Sequence, residues 1–145
     1  MRIRQEQMRT GALCTAMLIA IAGMAAAASR TTWDGVFTDQ QVQDGDVVYQ
    51  ERCGVCHGPN LEGGEDAPPL AGAQFSVIWE GRSLGDLLAR TRAGMPKDAP
   101  GTLGQEAYTN IVALLLGRNG FPAGSVKLST DGTALDAIRY LTVPP

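Results

Sequence analysis

Apolar positions recur along this chain at spacings of three and four, in bursts separated by stretches rich in glycine and proline, a pattern that predicts helices rather than strands. Val42, Gly45, Val48, Tyr49 and Arg52 share one face of a helix predicted over Asp39–Arg52, and Thr38 with Gln41 offers a capping box at its start. A glycine inside a helix costs about 1 kcal/mol relative to alanine. Gly45, beside Tyr49 on the buried face, therefore implies close approach by another helix, a kink at Asp44-Gly45-Asp46 being the alternative. Ser83 caps a second helix, Leu84–Arg92, whose inner stripe is Leu84, Leu87, Leu88 and Thr91. A third helix is predicted from about Leu103 to Arg118, with Thr102 as cap, Asn119-Gly120 as stop and an apolar stripe of Tyr108, Ile111, Val112, Leu115 and Leu116.

Between these helices lie an irregular loop, Gly58–Gly72, a short helical segment, Ala73–Trp79, and a Gly/Pro-punctuated turn around Met95. Residues 29–37 read as an irregular lead-in. Residues 121–145 read as a tail with one weakly helical piece, Ala134–Leu141. There is no internal repeat.

The first 28 residues change the picture. Arg2, Arg4 and Arg9 precede an apolar stretch from Gly11 to Ala28 that ends in small residues, the three-part plan of a secretory signal peptide cleaved near Ser29. An uncleaved membrane anchor is the alternative, because that stretch approaches spanning length. Cleavage removes three arginines and one glutamate, shifting the formal net charge from −3 to −5. The remaining residues 29–145 suit one domain, and the acidic balance argues against nucleic acid and for a partner with a basic docking patch. The expected location is the periplasm.

Residues 53–57 read Cys-Gly-Val-Cys-His. A bare CxxC also serves thioredoxin-like pairs and zinc sites. Thioredoxin-like sites expect a βαβ setting, and the flanks here are helical. Structural zinc normally takes four Cys or His ligands, whereas beyond residue 28 the chain has only Cys53, Cys56 and His57. The histidine directly after the second cysteine points to covalent c-type haem. Cys53 and Cys56 would bond the two vinyl groups of a single haem, and on a helical path His57 lies on the same face, placed to bind the iron.

A haem iron bound by one histidine needs a second ligand or an open position. Four of the five methionines, Met1, Met8, Met17 and Met24, fall in the signal segment, which leaves Met95 as the candidate. Its loop setting, Ala93-Gly94-Met95-Pro96-Lys97, favours a ligand over a core gap-filler, which would sit on a periodic helix face. Trp79, Arg82 and Arg92 are candidate donors to the haem propionates; a core role for the tryptophan and solvated charges for the arginines are the alternatives.

With its first helix ending in CxxCH, a Met-bearing loop and a last helix crossing the first, the chain resembles class I c-type cytochromes over about residues 38–120. The resemblance implies an all-α, cytochrome c-like fold of three main helices and loops wrapped around one covalently bound haem. Pro68-Pro69-Leu70-Ala71-Gly72 is similar to the family's PxLxG segment, which implies that the Pro68 carbonyl accepts a hydrogen bond from the unligated nitrogen of His57. Trp79–Leu87, Met95-Pro96, Asp98–Gly101 and Asn119–Pro122 resemble the cytochromes associated with quinoprotein alcohol dehydrogenases. The implied function is one-electron transfer rather than catalysis, with a quinoprotein dehydrogenase as donor and an oxidase or another cytochrome as acceptor. A haem enzyme or small-ligand sensor with an open distal position is the competing reading.

Overall fold

The computed structural model describes residues 30–145, so the expected signal segment and cleavage site lie outside the described residues. The elements in chain order are β1 (Arg30–Thr31), α1 (Asp39–Arg52), α2 (Gly54–His57), α3 (Ala73–Trp79), α4 (Leu84–Gly94), α5 (Gln105–Arg118), α6 (Gly132–Asp136) and β2 (Ile138–Arg139). Among the described residues no helix is long and apolar enough to cross a membrane.

The capping box at the head of α1 is present, with the Thr38 side chain accepting from the Gln41 backbone and the Gln41 side chain accepting from the Thr38 backbone. Ser83 and Asp86 form a second such box at the head of α4. Two predicted boundaries move. Thr102 does not cap α5, because its hydroxyl donates to Ala99 O (2.7 Å) within the preceding turn, and the helix starts after Gly104 with no side-chain cap. α4 runs past Arg92 to Gly94, and Met95 closes it by donating its backbone N–H to Thr91 O (2.9 Å).

The core is built on the crossing of α1 and α5. Tyr108 to Leu116 of α5 are all buried, and α1 meets them through Gly45 and Tyr49. A Cβ placed on Gly45 would run into Asn110 O and approach Leu114 Cβ at 3.1 Å, so the glycine serves close packing and not a kink. Arg118 Nη2 bridges to Asp46 Oδ1 (3.1 Å) at the rim of this crossing. Exposed pairs of this kind contribute about 0–1 kcal/mol, so the contact comes from packing.

The lead-in and the tail differ most from their sequence reading. Arg30–Thr31 pairs in parallel with Ile138–Arg139, closing a two-stranded clasp between the ends of the described chain. Trp33 Nε1 donates to Leu141 O (2.8 Å), and the Trp33 ring meets Phe121 edge-on at 5.2 Å between centroids. Leu128, Leu135, Ile138 and Tyr140 are buried with the main core. The Gln41 amide that completes the α1 cap also exchanges two hydrogen bonds with the Leu128 backbone (2.7 and 3.1 Å). The weakly helical piece is α6, Gly132–Asp136, and the chain after it is strand rather than helix.

The α1–α5 crossing is testable. Gly45→Ala gains helix propensity of about 1 kcal/mol but forces the helices apart, so the holoprotein should lose about 1–3 kcal/mol in denaturant titration. A stabilised variant would show that the two backbones are not in contact.

Candidate haem site

α1 ends at Cys53, whose backbone N–H still donates to Tyr49 O (2.8 Å), and its carbonyl then receives the N–H groups of Cys56 (3.1 Å) and His57 (3.0 Å). This single turn, α2, carries the attachment motif. The Cys53 thiol is half-buried and Cys56 is exposed, and neither is in a disulfide. Burial raises the Cys53 pKa above its ordinary value, with Arg52 opposing and Cys56 adding to the shift.

The His57 side chain is buried, and its Nδ1 lies 2.8 Å from Pro68 O. A backbone carbonyl only accepts, so this contact requires the proton on Nδ1, and in the neutral ring that tautomer leaves the Nε2 lone pair available for a metal. The partner is the first of the two prolines, the register implied by the PxLxG likeness. A carbonyl in this position fixes the ring orientation and raises its basicity as a ligand.

The loop that brings Pro68 to His57 is irregular in conformation but heavily bonded. Gly63 N donates to His57 O (2.7 Å), Gly64 N to Ala67 O (2.9 Å) and Leu70 N to Leu61 O (2.8 Å). Tyr49 Oη donates to Gly58 O (2.6 Å), and burial pushes its pKa up to about 12, so it remains a donor at ordinary pH. Asn119 closes the far end, accepting from Gly72 N (3.0 Å) and donating to Leu70 O (3.0 Å). From the local pattern Asn119 reads as a helix stop, because nothing local signals a contact across the 47 and 49 positions that separate it from these partners.

Met95 sits half-buried at the end of α4, with its carbonyl accepting from Tyr108 Oη (2.7 Å) and Gly101 N (3.3 Å). Tyr108 reads in the sequence as one apolar position of the α5 stripe. Trp79 is buried, and the Arg82 guanidinium lies over its ring at 5.6 Å. Arg92 is exposed in the last turn of α4, in a groove of about 600 Å³ that it shares with Pro100, Thr130 and Gly132.

The donor set fits a c-type haem: two unpaired thiols one turn apart, and a buried imidazole whose tautomer frees Nε2. Comparison with known proteins adds to this. The family profile described as cytochrome C oxidase, cbb3-type, subunit III matches residues 40–115, just over half of the chain.

The chain belongs to this family.

A relative described as the cytochrome bc1 complex cytochrome c subunit, from Corynebacterium diphtheriae (strain ATCC 700971 / NCTC 13129 / Biotype gravis), is 29% identical over 150 residues, covering 95% of this chain and 51% of the relative. The chain thus spans about half the length of that curated relative. No solved structure matches the chain. This cytochrome is an electron-transfer protein, not an enzyme, and its cofactor is covalently bound haem c. The mostly helical architecture is that of a cytochrome c domain, with the small terminal clasp added.

Asn119→Ala removes both contacts to the Leu70–Gly72 stretch along with a bond to Leu115 O (2.8 Å). Stability of the holocytochrome should fall by about 1–3 kcal/mol, read from its denaturant midpoint, with the haem still covalently retained. An unchanged midpoint would show that the loop holds itself.

Proposed function

We propose that this cytochrome is a periplasmic one-electron carrier in which His57 and Met95 ligate the iron of a haem joined through Cys53 and Cys56. The observation that carries the reading is the His57–Pro68 contact, which turns Nδ1 to a backbone carbonyl and leaves Nε2 as the ring nitrogen for a metal at the end of the attachment turn. Bound haem supplies a reversible ferric/ferrous couple, and thioether ligation raises its potential relative to more basic ligand sets. The chain's own task is mechanical. α2 and the Gly58–Gly72 loop hold the imidazole, the root of the Met95 loop holds the opposite side, and the packed face of α5 excludes water. Trp79 and Arg82, adjacent to one another, form the more coherent pair of donors to a propionate. Arg92, exposed in the last turn of α4, is given the solvated role that the sequence left open.

The periplasmic assignment rests on the signal-like residues 1–28. For the donor, the loop resemblance at Trp79–Leu87 and Asn119–Pro122 suggests a quinoprotein dehydrogenase, with an oxidase or another cytochrome as acceptor. A second reading places the domain beside a respiratory bc1-type complex, as the printed name of the Corynebacterium relative suggests. Stopped-flow mixing with each purified donor separates the two: rapid reduction by one donor and none by the other assigns the partner.

The ligand set has its own test. Ferric parent protein should show the weak near-infrared charge-transfer band of sulfur ligation, and Met95→Ala should lose that band and shift the potential downward while keeping its covalent haem. A Met95→Ala protein with the parent's spectrum and potential would remove Met95 from the iron.

A further inference from the structure

We infer that Tyr108 is the positioning residue for the distal ligand: its phenol pins the backbone of Met95, so that displacing the thioether from the iron also requires breaking this hydrogen bond. The inference rests on the His57/Met95 reading above and extends it to a residue on another helix. Tyr108 is 1% exposed, and its Oη donates to Met95 O at 2.7 Å. The Met95 N–H is already bound to Thr91 O (2.9 Å), and Gly101 N gives the same carbonyl a second, longer bond (3.3 Å). Both backbone polar groups of Met95 are thus engaged, one by the end of α4 and the other by α5 and the returning chain. Lys97, Asp98 and Pro100 between these anchors are exposed. The loop is therefore a surface excursion with a fixed root.

The chemistry makes that root matter. A thioether is a neutral, single-point ligand, and an external base replaces it only if the Met95 segment swings away. Swinging out separates Met95 O from Tyr108 and strands a buried phenol without an acceptor, a state that costs more than the net worth of the bond. The anchor is also well supported, because α5 is buried continuously from Tyr108 to Leu116.

Imidazole titration of the ferric holoprotein reads this directly, since imidazole competes with Met95 for the iron. Tyr108→Phe should raise the apparent imidazole affinity about 3- to 10-fold, the range that one net hydrogen bond supports. In a Met95→Ala background the same change should leave the affinity unaltered, because no thioether remains to compete. Gly101→Ala perturbs the second donor to the same carbonyl at a left-handed position (φ +73°) and should shift the affinity in the same direction. Equal affinities in parent and Tyr108→Phe overturn the inference. An equal rise in the Met95→Ala background does too, because it would assign the effect to the pocket wall. If Tyr108→Phe yields no holoprotein, an unshifted Gly101→Ala overturns it. A parent lacking the sulfur band removes the Met95 ligand and this inference together, whereas an intact band with unmoved affinities removes only the role of Tyr108.

Discussion

The close passage of α1 against α5 is the constraint on which the other parts depend. Without a side chain at Gly45 the α1 backbone comes down onto Asn110 and Leu114, and this depth sets where α1 ends. Because the attachment turn continues directly from Cys53, the crossing also sets where both thiols and the imidazole lie relative to the face of α5. A larger residue at position 45 would displace the motif together with the helix, since a packed interior transmits strain instead of absorbing it.

The terminal segments enter at the second level. The strand Ile138–Arg139 pairs with the lead-in on one side, and on the other the tail bonds to the stretch that follows Trp79. Gly81 N donates to Tyr140 O (2.8 Å), Tyr140 N donates to Arg82 O (2.9 Å), and Ser83 bridges to Arg139. These are the residues that flank the Trp79–Arg82 pair. The match to the family spans residues 40–115, so this wall is braced by chain outside the matched region. Tyr140 makes the bracing directional: its ring packs edge-on to Phe121 at 4.9 Å while its hydroxyl lies 3.1 Å from Ser76 Oγ.

What the sequence shows of this arrangement follows the range of the interactions. The helix heads at Thr38 and Ser83 are legible because their partners lie three residues away. The attachment turn is legible because covalent chemistry demands a fixed spacing, and Gly45 because a glycine inside a helix needs a reason. The lead-in and tail are not legible: strands of two residues have no period, and their partners lie about a hundred positions distant. The same holds for side chains with two uses. Gln41 completes a cap, a local role, and also holds Leu128, 87 positions away, and only the first leaves a trace in the local pattern.

Helix α5 then emerges as more than a lid. Near its start Tyr108 holds Met95, and just past its end Asn119 holds Leu70 and Gly72, two residues beyond the carbonyl that fixes His57. Eleven positions separate the two clamps, a span of about 16 Å along the axis. A single rigid element therefore holds the Met95 segment and the loop that carries Pro68 to the same frame, which in turn rests on α1 at Gly45. An electron carrier gains from this, because small displacement of ligands between oxidation states keeps the barrier to transfer low. Two short loops anchored to separate elements would let the two sides move independently; anchored to one buried helix, they can move only with it.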